Sequence, residues 1–468
     1  MYLIFDTETT GLPLNYGAPA EDLDNWPRLV QLAWQLHDAR GGLIEHGQVI
    51  VKPDGFDIPF DAQQVHKIST ERAASVGEDL GVVLARFLAV CQKTSYVVGH
   101  NLDFDIAIIR AECLRKQTKD PLKTIDRKDT MRLSTDYVGI PSPRGGFKWP
   151  SLEELHKKLF NQGFSGAHHA AFDVHATARS FFELLLREVI PCEKDTKPQD
   201  IVYEAPSDLE HIATKPTQGT QKTQTKSRKS TLDSKKIGFC HLHVHSQFSI
   251  LPATLTPQRI VSEAHKKGMS AIAITDLGNL CGAFTFVEAA KTHKLKPIIG
   301  CGLYISARRK ETRFTRESPD IMYAQVFLAK NKTGYHNLAS LSSLGYAEGL
   351  YGLYPRVDKA LIQKYKEGLI ALSGGLQGEL SRLILSQGPK AAEKSLLWWQ
   401  EQFQDDFYLE LVRHGHQEED HVNEVFLRWA KTYGIKYVAC NEVFYADKQD
   451  AYTHDTLCLL YTSDAADE

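Results

Sequence analysis

"YLIFDTETTGL", residues 2–12, runs four aromatic or aliphatic side chains directly into Asp6 and Glu8, two acids one residue apart. Tyr2 to Phe5 reads as a buried strand, and alternation along a strand then turns Asp6 and Glu8 to the same side. Like charges on one face repel. The pair is therefore either a solvated strand end or part of a site whose other members come from elsewhere in the chain, and an isolated Asp-x-Glu does not separate these readings.

Further acids stand at matching places. "YVVGHNLDFDIAIIRAE", residues 96–112, repeats the device: an apolar strand enters a polar turn, and Asp105 then begins a helix, where a carboxylate also suits the helix dipole. "GAHHAAFDVHATA", residues 166–178, sets His168 five residues before Asp173. On one helix these two would lie about 140° apart. His168 is thus expected on the loop before the helix and Asp173 on the helix itself, with either His168 or His169 a surface or capping residue.

Strand-like runs such as "LVQLAWQL" alternate with helical ones such as "DLGVVLARFLAVCQK" and "AAFDVHATARSFFELLLREV", which indicates an α/β layer structure. A second block repeats the alternation with "TPQRIVSEAHKKG", "SAIAITD", "FTFVEAAKTHKL" and "KPIIGCGLYI", as in a parallel barrel or open sheet. Between the blocks, residues 213–236 are rich in Thr, Gln, Ser and Lys with almost nothing apolar, too little to offset the entropy of ordering. The expected division is a first domain over 1–190, a flexible linker over 191–236, a second domain over 237–460 and a non-native tail over 461–468. Such a tether raises the effective concentration of the domains to roughly millimolar without a fixed dock.

The 468 residues are 42% hydrophobic and 24% charged, ordinary for globular domains, and the formal net charge of -3 announces no global basic field. Eight scattered cysteines without a C-x-x-C suit reduced thiols, and no leader-like or membrane-length apolar run occurs, so a cytoplasmic protein with no membrane partner is expected.

Taken in order, "FDTETTGL", "GHNLDFD" and "HHAAFD" resemble the three motifs of the DEDDh family of 3'-to-5' exonucleases, which includes the proofreading subunit of bacterial replicative polymerases. The resemblance covers residues 1 to about 190 and implies an RNase H-like fold. It implies that Asp6, Glu8 and Asp173 hold one Mg²⁺ or Mn²⁺, that Asp6 shares a second, that Asp105 helps through water, and that His168 is the general base. Four converging carboxylates would raise one another's pKa unless hard cations neutralised them, and imidazole titrates near working pH. The resemblance also places the terminal nucleotide at the backbone of Thr7 to Thr9, with Leu12 as an apolar wedge and His66 near the 3' end.

Residues 237 to about 460 resemble the PHP domain of the alpha subunit of bacterial DNA polymerase III, through "FCHLHVHSQFSI", "FLAKNKTGYHNLASLSS", "DFYLELVRHG" and "NEVFYADKQDAYTHDTL". This implies a distorted (β/α)₇ barrel with metal ligands at the C-terminal strand ends. His243 and His245 point the same way on a strand. Metal-binding members have a His where this chain has Leu277, "GCE" where it has Gly302, and "NDVH" where it has Glu442 and Phe444; Ala324 and Gly375 likewise replace a His and a Cys. Leu, Gly and Phe offer no donor lone pair, so His243, His245, Asp276, His414 and Glu442 cannot assemble a trinuclear site. The expectation is a degenerate, structural barrel with at most one weakly held ion.

Together the resemblances imply the N-terminal part of a DNA polymerase III alpha-type chain with a built-in proofreading exonuclease, the polymerase active site lying beyond. The implied partners are DNA with a 3' primer end, the remainder of the polymerase and, through it, the sliding clamp and other replisome subunits. Three rivals stand beside this: a stand-alone DNA or RNA nuclease, a working PHP phosphoesterase and a non-catalytic docking scaffold. The motifs alone do not report 2'-OH discrimination.

Overall fold

The computed structural model describes residues 1–142, 145–164, 169–193, 196–207, 238–250, 252–315, 318–457 and 459. The chain divides into two compact units, 1–226 and 227–468.

The first unit contains β1 (Tyr2–Thr9), β2 (Leu29–His37), β3 (Leu43–Ile50), α1 (Phe60–His66), α2 (Thr70–Val76), α3 (Leu80–Cys91), β4 (Tyr96–Gly99), α4 (Leu102–Arg115), β5 (Asp126–Asp129), α5 (Thr130–Leu133), α6 (Thr135–Val138), α7 (Leu152–Phe160) and α8 (Ala170–Leu186). The strand order is β3-β2-β1-β4-β5, with β1–β2 and β2–β3 antiparallel and β1–β4 and β4–β5 parallel. This is the RNase H-like α/β arrangement expected from the motifs.

Strand alternation sorts the core into two layers. Leu3 and Phe5 pack with residues of α3 and α4 on one face of the sheet, whereas Tyr2 and Ile4 pack with α7 and α8 on the other. Asp6 and Glu8 inherit the α8 face, and Thr7 inherits the α4 face. β1 pairs with β2 over its whole length but with β4 only from Tyr2 to Ile4, because β4 ends at Gly99 and turns into α4. That turn is tight: a Cβ on Gly99 would lie 2.8 Å from Leu102 Cδ1.

The first unit reaches past the expected boundary at residue 190. Ile201 is buried and Tyr203 packs on the same core, while Val202 N donates to Arg40 O at 2.8 Å and Glu204 N to Gly41 O at 3.0 Å. The Tyr203 hydroxyl donates to Gln35 Oε1 at 3.0 Å and meets His175 Nδ1 at 2.7 Å. Residues 198–204 are therefore a strap against the β2–β3 turn, which corrects the reading of that stretch as linker. The remainder of the expected linker from 208, and the tail 461–468, lie outside the described residues.

The second unit contains β6 (Ala271–Ile274), β7 (Lys296–Ile305), β8 (Tyr323–Ala329), β9 (Leu350–Tyr351), β10 (Tyr354–Val357), β11 (Leu369–Leu372), β12 (Phe407–Val412) and β13 (Lys436–Cys440). Segment 241–245 lies between β6 and the end of β13: Ala273 N donates to His241 O at 3.0 Å, and Val443 N to His243 O at 3.1 Å. With the pairings β6–β7–β8–β11–β12–β13, it closes a ring of seven extended segments among the described residues. β8 runs antiparallel to both neighbours, which is the distortion in the expected (β/α)₇ barrel. Among the described residues, no helix is long and apolar enough to cross a membrane.

Candidate active site

The acids converge. Asp173 sits in the first turn of α8, facing the side of β1 that carries Asp6 and Glu8. One oxygen from each of Asp6, Glu8 and Asp173 lies within 4.8 Å of the others. Asp105 arrives from the opposite layer on α4, buried, and its Oδ1 accepts from Thr7 N at 3.0 Å and Thr7 Oγ1 at 2.6 Å.

Burial pushes Asp6 well above the usual carboxylate range, and the charges of Asp105, Asp173 and Glu8 push it further. Burial, then Asp173 and Asp105, raise Glu8 to about 8. Burial raises Asp105 to about 7 against the two hydrogen bonds from Thr7. Every charge acting on Asp6 in this way is another carboxylate. An oxygen-only donor set held together against its own repulsion fits a hard divalent cation.

Around the acids the sheet edge is organised by polar capping. Asp129, closing β5, accepts from Asn101 N at 3.1 Å and Leu102 N at 3.2 Å, fixing the start of the helix that carries Asp105. Asn101 itself adopts φ 67°, the left-handed region in which Asn is among the tolerated residues. His66 closes α1 at 4% exposure; its Nδ1 accepts from Ile68 N at 3.1 Å, and Nε2 turns toward the Thr9 backbone without ordinary hydrogen-bond geometry. Burial lowers its pKa to about 4, so the ring is neutral at physiological pH. Thr9 Oγ1 donates to Gly11 O at 2.7 Å, and Leu12 stands 73% exposed just beyond. His169 occupies the N-cap of α8, its pKa lowered by burial and by Arg72. His168 lies outside the described residues.

The second unit gathers His243, His245 and Glu442, whose donor atoms also lie within 4.8 Å of one another. His245 Nε2 is 3.3 Å from Glu442 Oε1, and His243 Nδ1 is 3.3 Å from Oε1 of buried Glu410. Burial opposes charge on His243, but Glu410 and Glu442 outweigh it and raise the ring to about 9; His245 is instead lowered, burial dominating. The neighbouring positions have closed over. Leu277 bridges to Gly302, where a Cβ would lie 2.8 Å from Leu277 Cδ2, and Phe444 stacks on His245 with centroids 4.7 Å apart.

Residues 3–181 match the Exonuclease family and residues 241–414 match the PHP domain family. The first match falls within the first unit and the second within the second unit. Curated relatives of the chain include the DNA polymerase III subunit alpha of Borreliella burgdorferi, 40% identical over 227 residues (48% of this chain, 19% of the relative), and that of Treponema pallidum, 39% identical over 231 residues (48% and 19%). The chain spans about a fifth of the length of these relatives. Solved structures similar to it include E. coli exonuclease I in complex with a dT13 oligonucleotide, with 24% identity, TM-score 0.33, 39% of this chain and 40% of that chain covered. The zinc-ion-bound E. coli exonuclease I–ssDNA complex matches with 24% identity, TM-score 0.33 and 40% of each chain covered.

In the first unit the structure brings together Asp6, Glu8, Asp105 and Asp173, and places Thr9 and His66 at the end of β1. The Thr7 N–H and hydroxyl both donate to Asp105 Oδ1. In the second unit the close trio leaves out two residues that the sequence grouped with it. Asp276 is outside the His243–His245–Glu442 trio because it accepts from Ser246 N, Ser246 Oγ and Ser249 Oγ at 2.6, 2.7 and 2.7 Å. His414 is also outside, its Nδ1 held by Glu419 at 2.7 Å. Two structural acids escaped sequence reasoning. Asp129 reads as an ordinary strand end, whereas Glu410 left a signal, an acid alternating with apolar residues inside "FYLELV".

Proposed function

We propose that the exonuclease domain is a metal-dependent 3'-to-5' nuclease of DEDDh type that removes the terminal nucleotide from DNA, proofreading for a polymerase of the DNA polymerase III alpha kind. The observation that carries this is the meeting of Asp6, Glu8 and Asp173 oxygens within 4.8 Å, with Asp105 buried behind them. Asp6, Glu8 and Asp173 would hold Mg²⁺ or Mn²⁺, and Asp6 would share a second ion. Divalent cations at such a site supply charge neutralisation at the scissile phosphodiester. Exposed Leu12 wedges against the terminal base, neutral His66 lies along the 3' end, and the His168 imidazole takes the proton of the attacking water.

We further propose that the PHP domain is a platform and not a hydrolase. Leu277 fills the space into which a side chain at 302 would point, and Phe444 covers His245. Sliding clamp and other replisome subunits would then be engaged by the larger polymerase, in the cytoplasm.

The test is release of single nucleotides from a mismatched primer in Mg²⁺, by the wild type beside Asp6→Ala and Asp173→Asn. Loss of at least about a thousandfold in both variants is expected, since the two residues act as a unit. An inactive wild type, or variants as active as wild type, overturns the reading, and an equally degraded RNA primer overturns the assignment to DNA.

A further inference from the structure

Asp105 occupies an unusual position relative to the other acids. Asp6, Glu8 and Asp173 share the α8 face of the sheet, whereas Asp105 belongs to α4, which packs on the opposite face. Its carboxylate can influence Asp6 because β4 has parted from β1: β1 pairs with β4 only as far as Ile4. Past that point, backbone donors of β1 on this side have no strand to meet, and an unmet buried N–H costs about as much as a lost hydrogen bond. Asp105 Oδ1 takes the Thr7 N–H at 3.0 Å, a ladder position that β4 vacates.

The Thr7 side chain completes the arrangement. Lying between Asp6 and Glu8, it points to the α4 face, and its hydroxyl donates to the same Oδ1 at 2.6 Å. Thr7 is itself 6% exposed, and Asp105 is 3% exposed. Two donors on one oxygen restrict the carboxylate's rotation.

We infer that Thr7 is the positioning residue for Asp105: its hydroxyl and N–H clamp one carboxylate oxygen through the gap beside β1, so that the other is presented to the divalent-cation site. This rests on the metal-dependent reading above and extends it from the residues that would hold the ions to one that orients them. Partners of this kind, hydrogen-bonded behind a ligand, typically change metal affinity or activity by about 10–100-fold when removed.

The test is calorimetric titration of the full chain with Mn²⁺ and no nucleic acid, taking the component abolished by Asp6→Ala as the exonuclease site. Thr7→Val keeps shape and backbone N–H but loses the hydroxyl; it should weaken that component about 10–100-fold, and Thr7→Ser should stay within about threefold of wild type. A double-mutant cycle separates orientation from general destabilisation: in an Asp105→Ala background, Thr7→Val should cost nothing further. If Thr7→Val does not fold, Thr7→Ala takes its place with the same expectations. A wild-type Mn²⁺ component that Thr7→Val leaves unchanged, or an equal loss with and without Asp105, overturns the role of Thr7 alone. A wild type with no Asp6-dependent Mn²⁺ binding overturns the metal reading and this inference with it.

Discussion

Replacing Glu8 by Gln should make the metal-free protein more stable at neutral pH. Glu8 is raised from its ordinary 4.5 to about 8, burial first and then the charges of Asp173 and Asp105. A carboxyl raised on folding binds its proton more tightly in the folded than in the unfolded chain. The resulting stability is fully present below 4.5 and drains away as the pH climbs through about 8. At 1.36 kcal/mol per pKa unit, wild type should lose about 2.5 kcal/mol between pH 5.5 and 7.5 through this residue. By pH 7.5 the loss relative to the protonated form is on the order of 4 kcal/mol. Gln mimics the protonated acid and removes that loss. The assay is the urea dependence of hydrogen exchange in the peptide covering Tyr2–Thr9, with a chelator, at both pH values, because a local readout isolates this domain from the barrel. Mg²⁺ should restore the wild type at pH 7.5 and leave Glu8→Gln almost unmoved. A wild type whose β1 exchange stability is flat from pH 5.5 to 7.5, or a Gln variant no more stable than wild type, would refute the electrostatic account of the cluster.

Two further outcomes follow from packing. Gly302→Glu should destabilise the barrel by about 1–3 kcal/mol through overpacking against Leu277 Cδ2, and adding Leu277→His should recover most of it; thermal unfolding of the single and double variants checks this. Tyr203→Phe removes the hydroxyl shared with Gln35 and His175, so exchange in residues 198–204 should quicken by an amount equivalent to about 1–2 kcal/mol, with little change elsewhere.

The first strand and its acids were legible because alternation is a strict geometric rule: once Tyr2 to Phe5 are buried, the direction of Asp6 and Glu8 follows. Which layer supplies Asp105 was not, since that depends on β4 parting from β1 after Val98, a property of pairing and not of residue type. The boundary of the first domain was misread for a similar reason. Ile201 and Tyr203 sit in an aperiodic stretch, and their burial is created by a distant turn at Arg40 and Gly41. In the barrel, Asp276 carries the composition of a ligand, yet its oxygens are committed to Ser246 and Ser249, small residues whose reach across the barrel the sequence does not announce. The loss at Leu277 and Gly302, by contrast, was readable, because a side chain without a lone pair cannot ligate in any fold.

The strap at residues 198–204 has a mechanical consequence. Its anchor is the turn after His37, and His37 pairs with Tyr2, whereas Glu8 pairs with Gln31 at the other end of the same strand. Six residues of β structure, about 20 Å, separate the two ends. A load applied to the chain at Glu204 is therefore borne by the rear of the sheet, and the carboxylates at the front keep their spacing.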